Sequence, residues 1–598
     1  MPMWVQRMSV GMRVDRTGGV ILAVCGCMGL LVGCGRKAAP KPEATTPNPA
    51  VATVLHVVSP APLLRLPDQI ELLSESLTNA FNLFADKVFI RDWDGFAEFL
   101  REDFQGHDPF HLPVAKAQPL ALGAEICERD VKQAPVLGKG AFLASFEERI
   151  GAWRRLEESI WKVRNAEYER AERPSWGRVE WAAHMVGVTV DQGRELIELE
   201  GFARVDRVEG KGWQVTQLEL TSATTTTGGR ELFHDVTRSA GVHHEGIRYG
   251  RPGNDSDGWN GIACHDVNGD GLWDVFVPSP ERSFLYLGQP SGAFREAAEE
   301  AGLMECHGGT GVLFFDFEND GDMDLFVGQV GWRDIYQKGG GQSLQAYKND
   351  GKGHFTEVTE LMGLDKIRCA AFGLTAFDAD GDGYLDVYVC AYGRMGYIRN
   401  DSWSEATNGE PDLLLRNIGG TRFEDQTKAA GIEERGWSYT SVAADFDEDG
   451  DQDLYVVTTF GSNHLWQNQG DGTFVNVAEA KGVALRGNSM GVSAGDPNED
   501  GHLDLFLTNP SSNTGRRVLR RFEEDAHTET MDSLARMAGG NLLLEGDGRG
   551  GFRLKEKAGG AGGAGWAWGQ VLADLDLDGH QDVFCVNGFV TGDIPRDT

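Results

Sequence analysis

Along the first part of the chain the spacing of apolar residues changes character. Between Ile70 and Phe99, Leu72, Leu73, Leu77, Phe81, Leu83 and Phe84 recur at helical intervals. The same spacing returns from Phe142 to Arg170 with Trp153, Leu156, Ile160 and Trp161, so both stretches predict helix. The period then drops to two. Val179 to Val190, Glu195 to Val205 and Gly212 to Leu220 alternate apolar and polar positions and predict three successive strands. Asp191-Gln192-Gly193 and Glu209 to Gly212 supply the turns. Helices followed by an antiparallel sheet define a small α+β domain over residues 55–221. Residues 222–230, a threonine run closing in Gly228-Gly229, read as a linker. From residue 231 to 598 the apolar runs are short and punctuated by acidic, glycine-bearing turns, which predicts a mainly β region.

That second region repeats itself. Six segments share the pattern D-x-[DNE]-x-D-G-x-x-D. Their acidic and amide positions are Asp266, Asn268, Asp270 and Asp274; Asp316, Glu318, Asp320 and Asp324; Asp378, Asp380, Asp382 and Asp386. The later three have Asp445, Asp447, Asp449 and Asp453; Asp496, Asn498, Asp500 and Asp504; Asp574, Asp576, Asp578 and Asp582. The sixth position is always glycine, from Gly271 to Gly579. Calcium takes six to eight hard oxygen ligands at about 2.3–2.6 Å. Oxygens at positions 1, 3 and 5 converge when a loop coils around one ion, and glycine at position 6 permits the sharp turn. Clustered carboxylates without a cation repel one another, so six such loops in register predict up to six calcium ions, with the acids above as ligands. An EF-hand is excluded. It needs a bidentate Glu at position 12, where this chain has Val277, Val327, Val389, Val456, Leu507 and Cys585. Position 9 instead leads straight into strands such as Val275-Phe276-Val277, so each loop joins two strands of a hairpin.

A second element alternates with the loops and reads L-x-x-N-x-G-x-G-x-F-x-x-x-T-x-x-A-G-[LIV]. Clear copies run from Tyr347 to Leu364, Leu414 to Ile432 and Leu465 to Val483; weaker ones run from Leu285 to Leu303 and Leu542 to Gly560. Each adds two strands, giving four per unit, the signature of a propeller blade. Leu232 to Val242 is the second half of a unit, and the loop at Asp574 is a first half. Together they would complete one blade and close the ring. That count gives six blades, and a degenerate seventh stays compatible with it. The loops and their flanking strands resemble FG-GAP/VCBS repeats of integrin-α-like propellers, nearest the cartilage-acidic-protein-like group of bacterial exported proteins. The resemblance covers about Glu231 to Asn587. Members of that group often continue into an ASPIC/UnbV module, which is expected to be lacking here. The α+β domain resembles the SnoaL-like cone, in which a curved sheet wraps helices; no constellation in it identifies a substrate.

Charge and termini sharpen the setting. Lys and Arg number 56 against 91 Asp and Glu, a formal charge of -35. Such a chain disfavours nucleic acid and anionic lipid headgroups as partners. Six divalent ions would offset twelve of those charges. Arg13 and Arg16 precede a short apolar run, Gly18 to Leu30, that ends in Leu31-Val32-Gly33-Cys34. This resembles a bacterial lipobox, which implies a signal peptide over 1–34, lipidation of Cys34 and membrane attachment through the lipid alone. Gly35, rather than Asp, implies the outer membrane or cell surface. Residues 35–54, with Pro40, Pro42, Pro47 and Pro49, form a stiff tether. Six further cysteines are compatible with disulfides in an exported chain. Cys390 and Cys585, in apolar runs, read more simply as buried thiols.

Other motifs weigh toward binding rather than catalysis. Gly487-Asn488-Ser489-Met490-Gly491 fits a nucleophile elbow but stands where other units have their first strand. Cys264-His265-Asp266 and Cys306-His307 lack complete transition-metal spacing. Arg516, Arg517, Arg520 and Arg521, followed by Glu523, Glu524 and Asp525, read as a charged surface insertion. Trp259, Trp437, Trp566 and Trp568 precede loops and read as packing between blades. The expectation is an exported calcium-binding propeller that adheres or scaffolds through a protein or polysaccharide ligand. The alternative is an enzyme (lyase, hydrolase or oxidoreductase) with calcium in a structural role.

Overall fold

The computed structural model describes residues 66–587, apart from 121–122, 170–173, 192, 229–233, 244–260, 279–281, 305, 307–308, 329–341, 394–399, 403–404, 513–518, 520–528, 556–561 and 563–564, together with two short strands at 12–14 and 20–22. Cys34 and the lipobox, the tether, Trp259, His307 and the arginine cluster at 516–521 lie outside the described residues. Two compact units divide at residues 232–233.

The first unit opens with α1 (Leu66–Phe89) and the short α2 (Trp93–Ala97). The single helix expected from Ile70 to Phe99 breaks because Arg91 takes φ +58° and Asp92 restarts the chain as an N-cap, accepting from Gly95 N at 2.9 Å. Four short strands follow: β1 (Leu100–His107), β2 (Val114–Pro119), β3 (Glu125–Arg129) and β4 (Val136–Gly138). Then come α3 (Lys139–Gly151), β5 (Arg155–Tyr168), β6 (Trp176–Val188), β7 (Arg194–Val208) and β8 (Gly212–Gly228). The sheet order is β2-β3-β8-β7-β6-β5, and β1 pairs with both β8 and β4.

Two expectations are corrected here. Residues 155–168 are strand, not helix. Bulges between Leu156 and Glu158 and between Val163 and Asn165 interrupt the alternation. They bring apolar residues to spacings of three and four that imitate a helix. Ser222 to Gly228 is not a linker but the end of β8. Its β-branched threonines suit a strand, and Thr224 to Thr227 pair with β3 on one side and β7 on the other. Rings fill the space between helices and sheet: Phe84, Phe96, Phe104, Phe142, Phe146, Trp153, Trp161 and Trp181 are all buried. Trp161 and Trp181 stack with centroids 5.2 Å apart.

The second unit is a series of antiparallel meanders. Sheet I is Ala263–His265, Asp274–Val277, Phe284–Gly288 and Phe294–Glu296. Sheet II is Val312–Phe315, Asp324–Val327, Gln345–Asn349 and Phe355–Glu357. Sheet III is Ala371–Phe377, Asp386–Ala391, Leu413–Asn417 and Phe423–Asp425. Sheet IV is Ser438–Ala444, Asp453–Thr458, His464–Asn468 and Phe474–Asn476. Sheet V is Gly491–Gly495, Asp504–Thr508, Leu542–Gly546 and Phe552–Lys555. Sheet VI has two described strands, Ala567–Ala573 and Asp582–Asn587.

Three contacts recur between neighbouring sheets. Five residues before the loop, most first strands carry glycine, and it lies against the first strand of the next sheet. A Cβ on Gly311 would stand 3.1 Å from Phe372 O, on Gly373 2.6 Å from Tyr439 O, and on Gly491 2.9 Å from Trp568 O. Secondly, the third-strand asparagine crosses to the preceding sheet: Asn349, Asn417 and Asn468 donate through Nδ2 to the carbonyls of Val267, Phe317 and Ala379. Thirdly, the fourth-strand phenylalanine donates its N–H to the turn closing the preceding unit: Phe355 to Ala301, Phe423 to Met362 and Phe474 to Ala430. Phe294 of sheet I makes the same bond, to Ala240.

Candidate functional site

The six acidic loops are built alike. Position 6 is glycine with φ between 84° and 103° throughout, and position 4 also has positive φ: Gly269, Asn319, Gly381, Glu448, Glu499 and Leu577. Position 1 receives at least two backbone N–H groups in every loop, and Asp378 receives three. In the first, Asp270 N and Gly271 N donate to Asp266 at 3.1 and 2.7 Å. In the last, Asp578 N and Gly579 N donate to Asp574 at 3.0 and 2.9 Å. The position-5 carboxylate then accepts from position 7, as Asp382 does from Tyr384 N at 2.9 Å. This ladder coils the backbone from position 1 to position 7.

Position 9 has a second task. Asp274, Asp324, Asp386, Asp453 and Asp504 are buried, and each accepts an N–H from the third strand: Gly288, Asn349, Asn417, Asn468 and Gly546. Most also accept from position 2 of their own loop, as Asp386 does from Ala379 N at 3.0 Å. Burial, then the charges of the loop acids, pushes Asp453 up to about 7 and Asp274 and Asp504 up to about 6, against the pull of these hydrogen bonds. Asp582, on the two-stranded sheet VI, is not among the buried acids.

Carboxylate oxygens converge within 4.8 Å in three loops: Asp378, Asp380 and Asp386; Asp445, Asp447 and Asp449; Asp574, Asp576 and Asp582. In the first and fifth loops position 3 is an amide, and Asn268 and Asn498 offer carbonyl oxygens instead. Four buried third-position oxygens, Glu318 Oε1 and Oε2, Asp447 Oδ1 and Asp576 Oδ1, have no hydrogen-bond partner, nor does Asp451 Oδ1. An orphaned buried carboxylate oxygen is costly unless a cation meets it. The donor set is hard oxygen throughout, which suits calcium rather than a soft metal.

The rival motifs resolve into structure. Ser489 is buried and receives Asn463 Nδ2 at 3.3 Å, and Gly491 begins a strand rather than a helix. Cys264 is pushed up to about 12 by burial, the opposite of a reactive or ligating thiol. Cys127, Cys264, Cys306, Cys369, Cys390 and Cys585 are all free thiols. Trp437 is buried against Tyr392 and Phe460, and its Nε1 donates to Asn408 at 2.9 Å. Trp568 is buried too. In the first unit, Asp108 and His111 could suggest acid–base chemistry. Burial raises Asp108, but N–H groups of Phe110 and His111, Ser145 Oγ and the His111 ring outweigh it and hold the carboxyl below its ordinary value. It ties α3 to the strand end.

Sequence comparison agrees with this geometry. An FG-GAP-like repeat model matches residues 266–327, 331–389 and 445–507. The chain carries FG-GAP-like repeats over these residues. Among curated proteins it is similar to cartilage acidic protein 1 of Homo sapiens, 23% identical over 274 residues, covering 42% of this chain and 38% of that one. The Xenopus tropicalis protein of the same name is 24% identical over 268 residues, covering 33% of this chain and 40% of that one. The chain thus spans about two fifths of the length of these relatives. Among solved structures, an Agrocybe aegerita lectin that recognises non-reducing terminal N-acetylglucosamine aligns over 76% of this chain and 93% of its own at 14% identity and a TM-score of 0.30. The Kfla4162 protein of Kribbella flavida aligns over 26% and 92% at 10% identity and a TM-score of 0.19. Likenesses at that level support no structural conclusion.

Proposed function

We propose that the six loops hold calcium, that the sheets close into a propeller, and that the chain is a binding or scaffolding module tethered outside the cell through Cys34. The observation that carries the calcium reading is the shared loop geometry, with buried third-position oxygens left without a hydrogen bond in the second, fourth and sixth loops. Ring closure is supported by the bond from Phe294 to Ala240. Val236 to Val242 stands to sheet I as the turn after each fourth strand stands to the next sheet, so it is the missing end of the unit that sheet VI begins. Closing the ring would leave no open sheet edges. The ligand would be a protein or polysaccharide, a reading that rests on the repeat family. Thermal unfolding with and without chelator tests the calcium reading. Melting should fall in EDTA and recover with calcium but not with equimolar magnesium, which prefers smaller octahedral sites. Melting unchanged by EDTA would contradict it.

A further inference from the structure

The residue preceding the third-strand N–H that caps position 9 stands beside the acidic loop in every complete sheet. It is Leu287 in sheet I, Lys348 in II, Arg416 in III, Gln467 in IV and Glu545 in V. Its chemistry differs where the loops are otherwise alike. Lys348 Nζ pairs with Glu318 and lies 3.2 Å from Asp320 Oδ2, positions 3 and 5 of the second loop. Arg416 pairs through Nη2 with Asp380 and through Nε with Asp386 at 3.0 Å, positions 3 and 9 of the third loop. Those two acids belong to the set that converges there. By contrast, Gln467 is neutral and meets Asp447 through its amide. Glu545 turns to Arg553 and Lys555. Buried third-position oxygens lack a hydrogen bond in the second, fourth and sixth loops alike, at Glu318, Asp447 and Asp576, but at Glu318 an ammonium stands against them.

We infer that the second and third loops carry a built-in cation, so that the protein has two classes of calcium site. Four loops, beginning at Asp266, Asp445, Asp496 and Asp574, take calcium directly. The two beginning at Asp316 and Asp378 take it only by displacing an ammonium or guanidinium from their own ligands. The physical reason is competition for the same oxygens. A dication entering beside a retained Lys348 or Arg416 meets like charge in a partly buried setting, and moving the side chain away breaks its ion pairs. A guanidinium bridging two acids, one of them fully buried, is the harder to displace. This inference rests on the calcium reading and refines it.

Equilibrium dialysis of the full chain against calcium, with ions per chain counted by elemental analysis, separates the two. The unmodified chain should show four tight sites and two at least tenfold weaker. Lys348→Met and Arg416→Met should each raise the tight count by one, and the double variant should reach six. Gln467→Lys places an ammonium at the matching position of the fourth loop and should lower the tight count to three. Because Arg416 is largely buried, Lys348→Met and Gln467→Lys keep the test decisive if the arginine variant does not fold. Six equivalent sites in the unmodified chain, or counts unmoved by both of those variants, would overturn the inference and leave the calcium reading standing. An absence of calcium binding altogether would overturn both.

Discussion

Protons and calcium should compete for the same loops, and the competition has a definite sign. In the absence of a cation, Asp453 is raised to about 7 by burial and by the nearby acids Asp447 and Asp449. An unfolded aspartate titrates near 3.9. A folded value raised above the unfolded one gives stability that is complete below about pH 4 and is lost as pH climbs through the folded value. Each tenfold change in proton affinity is worth about 1.4 kcal/mol, so this one buried carboxyl accounts for on the order of 4 kcal/mol between pH 4 and pH 8. Asp274 and Asp504, raised to about 6, add smaller amounts in the same direction. The exposed loop acids are screened and add little. Bound calcium would cancel the penalty by favouring the charged form. Thermal unfolding from about pH 5 to pH 8, in parallel with calcium and with EDTA, isolates the effect, because acids elsewhere contribute equally to both curves. The gap between the curves should widen as pH rises, and calcium affinity should tighten up to about tenfold per pH unit below 7. A gap that is constant, or that narrows toward pH 8, would refute the reasoning.

Other consequences follow from the packing between sheets. Gly373→Ala puts a methyl 2.6 Å from Tyr439 O and 2.9 Å from Thr440 Cα, backbone that cannot swing aside, and should cost about 1–3 kcal/mol in urea unfolding of the repeat region. Asn468→Ala removes bonds to Ala379 O and Gln452 O and should cost about 1–3 kcal/mol for each carbonyl left buried and unpaired, again by urea unfolding. In the first unit, His184 lies between Glu158 and Glu198 on adjacent strands, and their hydrogen bonds raise it to about 9. An NMR titration should place it there, and Glu158→Gln should lower it. Its stabilising contribution is complete below about 6.5 and should be lost as pH rises through 9.

The acidic loops were legible because their chemistry is written in fixed residue types: acids at 1, 5 and 9, glycine at 6. What the loops share in backbone was not. Position 4 takes positive φ as Gly, Asn, Glu or Leu, with no common side chain to reveal it. The dual duty of position 9 was hidden too, since the N–H groups it accepts come from a strand 14 to 42 residues away. Lys348 and Arg416 look like ordinary strand residues until the third strand is laid beside the loop. In the first unit the three long strands announced themselves by alternation. Residues 155–168 did not, because two bulges broke the period. The threonine run at 222–228 looked like a linker because low complexity and strand propensity look alike without a pairing partner.

If the proposal holds, the sheets form a closed ring whose hairpin loops bind calcium. A crystal structure of the calcium-loaded chain, with anomalous scattering used to locate the metal, tests it most directly. Strong peaks are expected among the oxygens of positions 1, 3, 5 and 9 in the loops beginning at Asp266, Asp445, Asp496 and Asp574, with Val236 to Val242 completing the unit that sheet VI opens. Loops without peaks at saturating calcium, or a ring left open beside sheet VI, would contradict it.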